Sequence, residues 1–217
     1  SSKVKAINFH LFEGLGHTSV KNIPFQIQKL NENDRLAIAK LGIRLGVNLI
    51  YLPIVLKPKI IKLKAMLWSI YNDKFFVDHL PEEGRVNCQI NKKIKEDFYF
   101  FIGYMPCGDI GLRLDIYERL LALVRKEGKK EKFKITEEML SIAGSTKDFL
   151  RDFITSKMKY KLLRTDNSEN DQEYFFQKSD KINKFKNTKK PKIKNTKVDS
   201  IKLNKDSPFY ILKSLKS

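Results

Sequence analysis

The stretch from Asp115 to Gln177 constrains the fold most, because three helix-period apolar stripes are followed there by two short runs of strand character around a polar loop. In the first stripe Ile116, Tyr117, Leu120, Leu121, Leu123 and Val124 recur at 3.6-residue spacing, and Gly128 is the expected left-handed stop. The second is short. Thr136 offers an N-cap oxygen, Glu137 and Glu138 suit the positive helix start, Met139, Leu140 and Ile142 turn inward, and Gly144 ends it. Ser145 or Thr146 caps a third helix, with Phe149, Leu150, Phe153, Ile154 and Met158 on its buried side and Lys147, Arg151, Thr155 and Lys157 toward solvent. Lys159 to Arg164 and Glu173 to Gln177 read as strands, joined by a turn over Thr165 to Gln172.

Three helices and a hairpin in that order are the elements of a winged helix. The third helix then occupies the place of a recognition helix, and the hairpin is the wing. Winged helices also serve as protein-docking modules, and solvent-facing lysines are ordinary on any helix, so the element order alone leaves both uses open.

Charge tips the balance toward a polyanion. The chain has 43 Lys plus Arg against 25 Asp plus Glu, a formal net charge of +18, and neutralising phosphates with such residues releases counterions. From Lys178 to Ser217 there are 13 Lys, no Arg and 3 Asp, so the tail holds over half of the excess. With few apolar residues, its part up to Lys205 cannot offset the entropy of ordering and is expected to be disordered. It would bind phosphates without reading sequence, or serve as a solubilising linker. After it, Ser207 can cap a short docking helix with Pro208 at its first position and Phe209, Leu212 and Leu215 on one side.

Cys88 and Cys107 lack C-x-x-C spacing and have no paired histidine neighbour, so no zinc site is expected and both are read as reduced thiols of a cytoplasmic protein. Leu45 to Leu56, the longest apolar run, is too short to span a bilayer, and no signal peptide is recognisable. The start at Ser-Ser-Lys, without methionine, suggests an excised or processed piece.

Ahead of Asp115 the pattern is less regular. Residues 1–30 mix polar and aromatic positions around Gly14, Gly16 and Pro24 and read as strands and loops. A helix follows from Asn33 or Asp34 to Lys40, then a strand or bent hairpin over Gly42 to Leu52. Lys57 and Pro58 open a helix to about Tyr71 that is expected to be buried on most of its circumference. Lys57, Lys59, Lys62 and Lys64 crowd its first two turns, where cations oppose the helix dipole; an anionic partner would explain them, as would simple solvation of the exposed strip. Phe98 to Tyr104 reads as a strand whose aromatic rings are either core or a platform for bases.

Catalytic chemistry is missing. There is no G-x-x-x-x-G-K-[ST] loop, no G-x-G-x-x-G, no nucleophile motif and no paired carboxylates in an apolar setting, so no ATP hydrolysis and no bound cofactor are expected within this chain.

Several strings, in this order and spacing, resemble the C-terminal region of alphaproteobacterial superfamily-2 helicases, relatives of the mitochondrial degradosome RNA helicase. They are Leu41 to Pro53, Leu56-Lys-Pro58, Leu63 to Trp68, Gly111 to Leu120, Glu138 to Gly144, and Asp206 to Phe209 with Leu212 to Lys216. The resemblance spans Leu41 to the C-terminus and leaves residues 1–30 unplaced. It implies an accessory module behind two RecA-like domains that bind ATP and magnesium in the parent protein. Where the family carries arginine and proline in its basic tail, this chain has lysine and asparagine, which keeps the charge but not bidentate recognition.

The expectation is therefore an α+β chain: a mixed helix and strand part over 1–109, a winged-helix-like domain over 110–178, a disordered basic linker over 179–205 and a docking helix over 206–217. Its expected partners are RNA or DNA, the preceding RecA-like domains, and a ribonuclease or ribosome, with no membrane. The expected nucleic-acid contacts are Lys57, Lys59, Lys62, Lys64, Lys147, Arg151, Lys157, Lys159, Lys161, Arg164, Lys189, Lys190, Lys192 and Lys194. The competing readings are a stand-alone winged-helix DNA-binding regulator and a protein-docking platform.

Overall fold

Val4, Ile7 and Leu11 repeat at helical spacing, and the computed structural model, which describes residues 1–73, 80–163 and 174–178, folds them into α1 (Ser2–Glu13). This corrects the reading of residues 1–30 as strands and loops. Only β1 (His17–Ser19) is extended there, and Pro24 opens the short α2 (Pro24–Gln28) as its first residue instead of breaking a strand. In α3 (Glu32–Lys40), Asn31 and Asp34 form a reciprocal capping box, each side chain accepting from the other's backbone N–H at 2.7 and 3.3 Å.

Gly42 to Leu52 bends into a hairpin of β2 (Arg44–Leu45) and β3 (Leu49–Tyr51). Strand β3 is central in a sheet of order β1-β3-β2. The tight loop between β2 and β3 is pinned from a distance: the Glu118 carboxylate accepts from the backbone N–H groups of Val47 and, at 3.0 Å, Asn48. Helix α4 (Pro58–Tyr71) follows. It is not buried on most of its circumference, as its composition suggested. Ile61, Lys64, Ala65 and Ser69 face inward, while Leu63, Met66, Leu67, Ile70 and Tyr71 are exposed.

The aromatic run at Phe98 is also helical. Helix α5 (Glu96–Ile102) buries Phe98, Tyr99 and Ile102 and ends at Gly103, whose φ of 105° suits glycine. Strand β5 (Tyr104–Cys107) then pairs with β6 (Ile110–Arg113), which also pairs with β4 (Asn87–Gln89).

The remainder is α6 (Leu114–Glu127), β7 (Lys132–Lys134), α7 (Glu137–Ala143), α8 (Lys147–Asp152) continued by a π-helical turn over Phe153–Lys157, β8 (Tyr160–Leu163) and β9 (Phe175–Lys178). Thr136 and Thr146 cap α7 and α8 by accepting from Met139 and Phe149 N–H. Gly128 ends α6 at φ −67°, not in the left-handed region; what requires glycine there is the Tyr160 hydroxyl, which a Cβ would overlap. Strand β7 was not foreseen, and it pairs with β9 to give the order β7-β9-β8.

The protein is α+β, with helices and small antiparallel sheets. Its largest core cluster joins Leu49, Tyr51, Leu56, Cys107 and Leu112 to Leu120, Phe133, Leu150 and Phe176, so the packing does not divide at 109/110. Two smaller clusters lie around Ile7 and Ile50 and around Phe98 and Tyr104. Among the described residues no helix is long and apolar enough to cross a membrane.

Candidate nucleic-acid interface

The backbone brings part of the expected basic set together and withdraws other members. Lys57, Lys59 and Lys62 are exposed around the start of α4, with Lys57 as its N-cap. Lys64 is not available to a ligand. It is 3% exposed, its Nζ lies 3.1 Å from His17 Nδ1 and 3.3 Å from the Leu15 carbonyl, and it stands over the Phe101 ring at 5.2 Å. Burial lowers the Lys64 amine to about 8, and burial together with the neighbouring Lys64 charge lowers His17 to about 3.

On α8 the outcome is similar for Arg151. Its Nε donates to Asp152 at 2.8 Å, and its Nη1 donates to Asp148 at 2.8 Å and to the Tyr174 hydroxyl at 3.1 Å. The guanidinium also stacks on the Tyr174 ring at 5.2 Å, and the Asp152 hydrogen bond raises its already high pKa. A guanidinium so engaged is internally neutralised, and a phosphate would have to displace two carboxylates. Lys147 begins the same helix, is half-buried and has a partner of its own.

Lys157, Lys159 and Lys161 form the group that stays open. All three are exposed, at the π-helical end of α8, at the junction and in β8. Lys159 sits at φ 62°, an uncommon conformation for a non-glycine residue, and that kink turns the chain from helix into strand. Arg164, Lys189, Lys190, Lys192 and Lys194 lie outside the described residues, as do the loop Thr165 to Gln172, the linker over 179–205 and the helix expected over 206–217.

The aromatic run offers no platform for bases, since Phe98, Tyr99 and Tyr104 are all at most 2% exposed. The cysteines are free thiols that burial pushes up, to about 11 for Cys88 and about 12 for Cys107, which makes them poor nucleophiles. Among the described residues no group of three or more His, Cys, Asp or Glu could hold a metal ion.

Sequence reasoning missed Lys132, Lys134 and Phe175. They lie on strands of the same sheet as Lys161; the Lys-Phe-Lys alternation of β7 was the signal that could have found the two lysines, and Phe175 lies within the run already read as a strand. No family model matches this chain, and neither the curated proteins nor the solved structures include one similar to it.

Proposed function

We propose that this chain is an accessory nucleic-acid-binding module of an ATP-dependent helicase acting on RNA, with a winged-helix-like half as its strand-holding part. What supports the reading best is the succession α6, β7, α7, α8, β8, β9 with β9 central between β7 and β8, joined to a net charge of +18. Lys57, Lys59, Lys62, Lys157, Lys159 and Lys161 are its open cations. ATP and magnesium belong to motor domains outside this chain. The test is binding of single-stranded RNA across salt: several phosphate contacts should weaken affinity by orders of magnitude between about 50 and 200 mM. Affinity that ignores salt over that range removes the reading.

A second reading, docking onto a protein such as the preceding RecA-like domains or a ribonuclease, draws on the exposed apolar side of α4. Leu63, Met66, Leu67, Ile70 and Tyr71 are all exposed there, and a cluster of exposed apolar side chains is the kind of surface that partners cover. Capture of a protein partner that survives nuclease treatment would favour it.

A further inference from the structure

The sheet β7-β9-β8 has two faces, and the core uses one. Phe133 and Phe176 are buried on that inner face, with Leu162 packed beside them. Strand alternation sends their neighbours to the opposite side. There the register lines up Lys132, Gln177 and Lys161 in one row and Lys134, Phe175 and Leu163 in the next. Lys132, Lys134 and Lys161 are exposed, and Phe175 and Gln177 are half-buried. None of these strands contains an Asp or Glu. Lys132 and Lys161 take part in no ion pair among the described residues.

Two interstrand spacings put Lys132 and Lys161 about 10 Å apart, with the β9 residues between them. Cations on either side of Gln177, with the partly open Phe175 ring in the adjoining row, fit an extended polynucleotide whose bases are unpaired: phosphates meet the lysines and a base lies on the ring. A duplex keeps its base faces covered and gains nothing from Phe175. A protein partner fits less well, because lysines are depleted in the centres of protein interfaces.

We propose that the outer face of this sheet is a single-strand binding surface, with Lys132 and Lys161 holding phosphates and Phe175 stacking one base. The proposal rests on the nucleic-acid reading above and assigns it a place. It shifts the contact from the exposed side of α8, where Arg151 is neutralised, to the sheet.

The experiment uses the full chain and a short fluorescein-labelled oligouridylate, titrated by anisotropy at several salt concentrations. K132Q/K161Q is expected to weaken binding at least about 10-fold at low salt and to flatten the salt slope by about 1.4, since each single-strand phosphate contact contributes about 0.7. F175L keeps the apolar bulk but removes the ring; it should weaken binding between about 5- and 100-fold with the slope unchanged. K5Q/K40Q, an equal charge change on exposed residues of α1 and α3, is the reference. If both sheet variants track that reference while the wild-type chain still binds in a salt-sensitive way, the sheet is not the site and the wider reading stands. If the wild-type chain binds indifferently to salt, the wider reading fails first. Photocrosslinking of the wild-type chain to an iodouridine-bearing oligomer gives an answer that needs no variant to fold: a crosslink at Phe175 is expected, and crosslinks confined to other residues overturn the proposal.

Discussion

Lys64 Nζ lies 3.1 Å from His17 Nδ1, both side chains are at most 3% exposed, and among the described residues no carboxylate pairs with either. The imidazole must accept, so its proton sits on the other nitrogen, facing the Phe100 backbone. A buried cation with a neutral acceptor and one carbonyl is tolerated at a cost, and that cost should be visible in the pH dependence of stability.

The sign follows from proton counts. Lys64 falls from 10.5 unfolded to about 8 folded, so between those values the unfolded chain binds more protons and stability rises with pH. At the 1.4 kcal/mol per unit of linkage, the gain approaches about 3 kcal/mol by pH 10.5. His17, held down at about 3, acts in the same sense: the unfolded histidine protonates below pH 6.5 and stability is lost as pH falls from there toward 3. Lys64→Met should flatten the alkaline rise in urea-unfolding free energy measured from pH 8 to 10.5. An unchanged rise would mean another group titrates there.

Glu118 performs a structural task that its place on the apolar side of α6 conceals. At 5% exposure its carboxylate holds two loop N–H groups between β2 and β3. Glu118→Ala takes the acceptor from two half-buried loop donors and should cost about 1 to 3 kcal/mol, read as a lowered denaturation midpoint with an unchanged slope. Gly46→Ala should give a milder version of the same loss, because its Cβ would overlap the Glu118 carboxylate.

Where the sequence was legible, local signals and the fold agreed. Thr136 and Thr146, Gly144 and the stripe of α6 are caps, stops and spacings that act within a turn or two of chain, and each stands where it was read. The aromatic run failed because β propensity was weighed against nothing. Glu96 and Asp97 at a helix start and Gly103 at its end were equally local signals, and burial of Phe98, Tyr99 and Ile102 at helical spacing decided the outcome. Lys64 shows a subtler limit. It falls between Ile61 and Ala65 on the inner side of α4, so period alone placed it inside, yet its charge argued for solvent. The partner that resolves the conflict, His17, lies 47 residues away in sequence, and no local pattern reports it. The same holds for the outer row of the sheet, which exists only once β7 is paired with β9.

Asn87 joins β4 to the end of α7. Its Nδ2 donates to the carbonyls of Ala143 at 2.9 Å and Gly144 at 2.7 Å, two of the acceptors a helix end leaves open. Asn87→Ala should therefore destabilise by about 1 to 2 kcal/mol, and hydrogen exchange at the α7 amides should quicken more than at those of α6. Gly144→Ala, at φ 55° and with its Cβ meeting the Asn87 amide at 3.3 Å, should cost about 1 kcal/mol or more and disturb the same contact.

Asp148, Asp152 and the Tyr174 hydroxyl mask the charge of Arg151. If the surface around α8 lies near a bound strand, removing the two carboxylate charges should recruit the arginine without moving it. Asp148→Asn with Asp152→Asn raises the formal net charge from +18 to +20 and frees a bidentate phosphate donor. Single-stranded RNA should then bind more tightly, with a salt slope steeper by about 0.7 for the one added contact. A gain in affinity with no change of slope would point to a general field effect instead, since a fixed arginine contact must release a counterion. Adding Arg151→Gln to the pair separates these outcomes: it should return the slope to its wild-type value if the guanidinium is the new contact, and leave it unaltered if it is not.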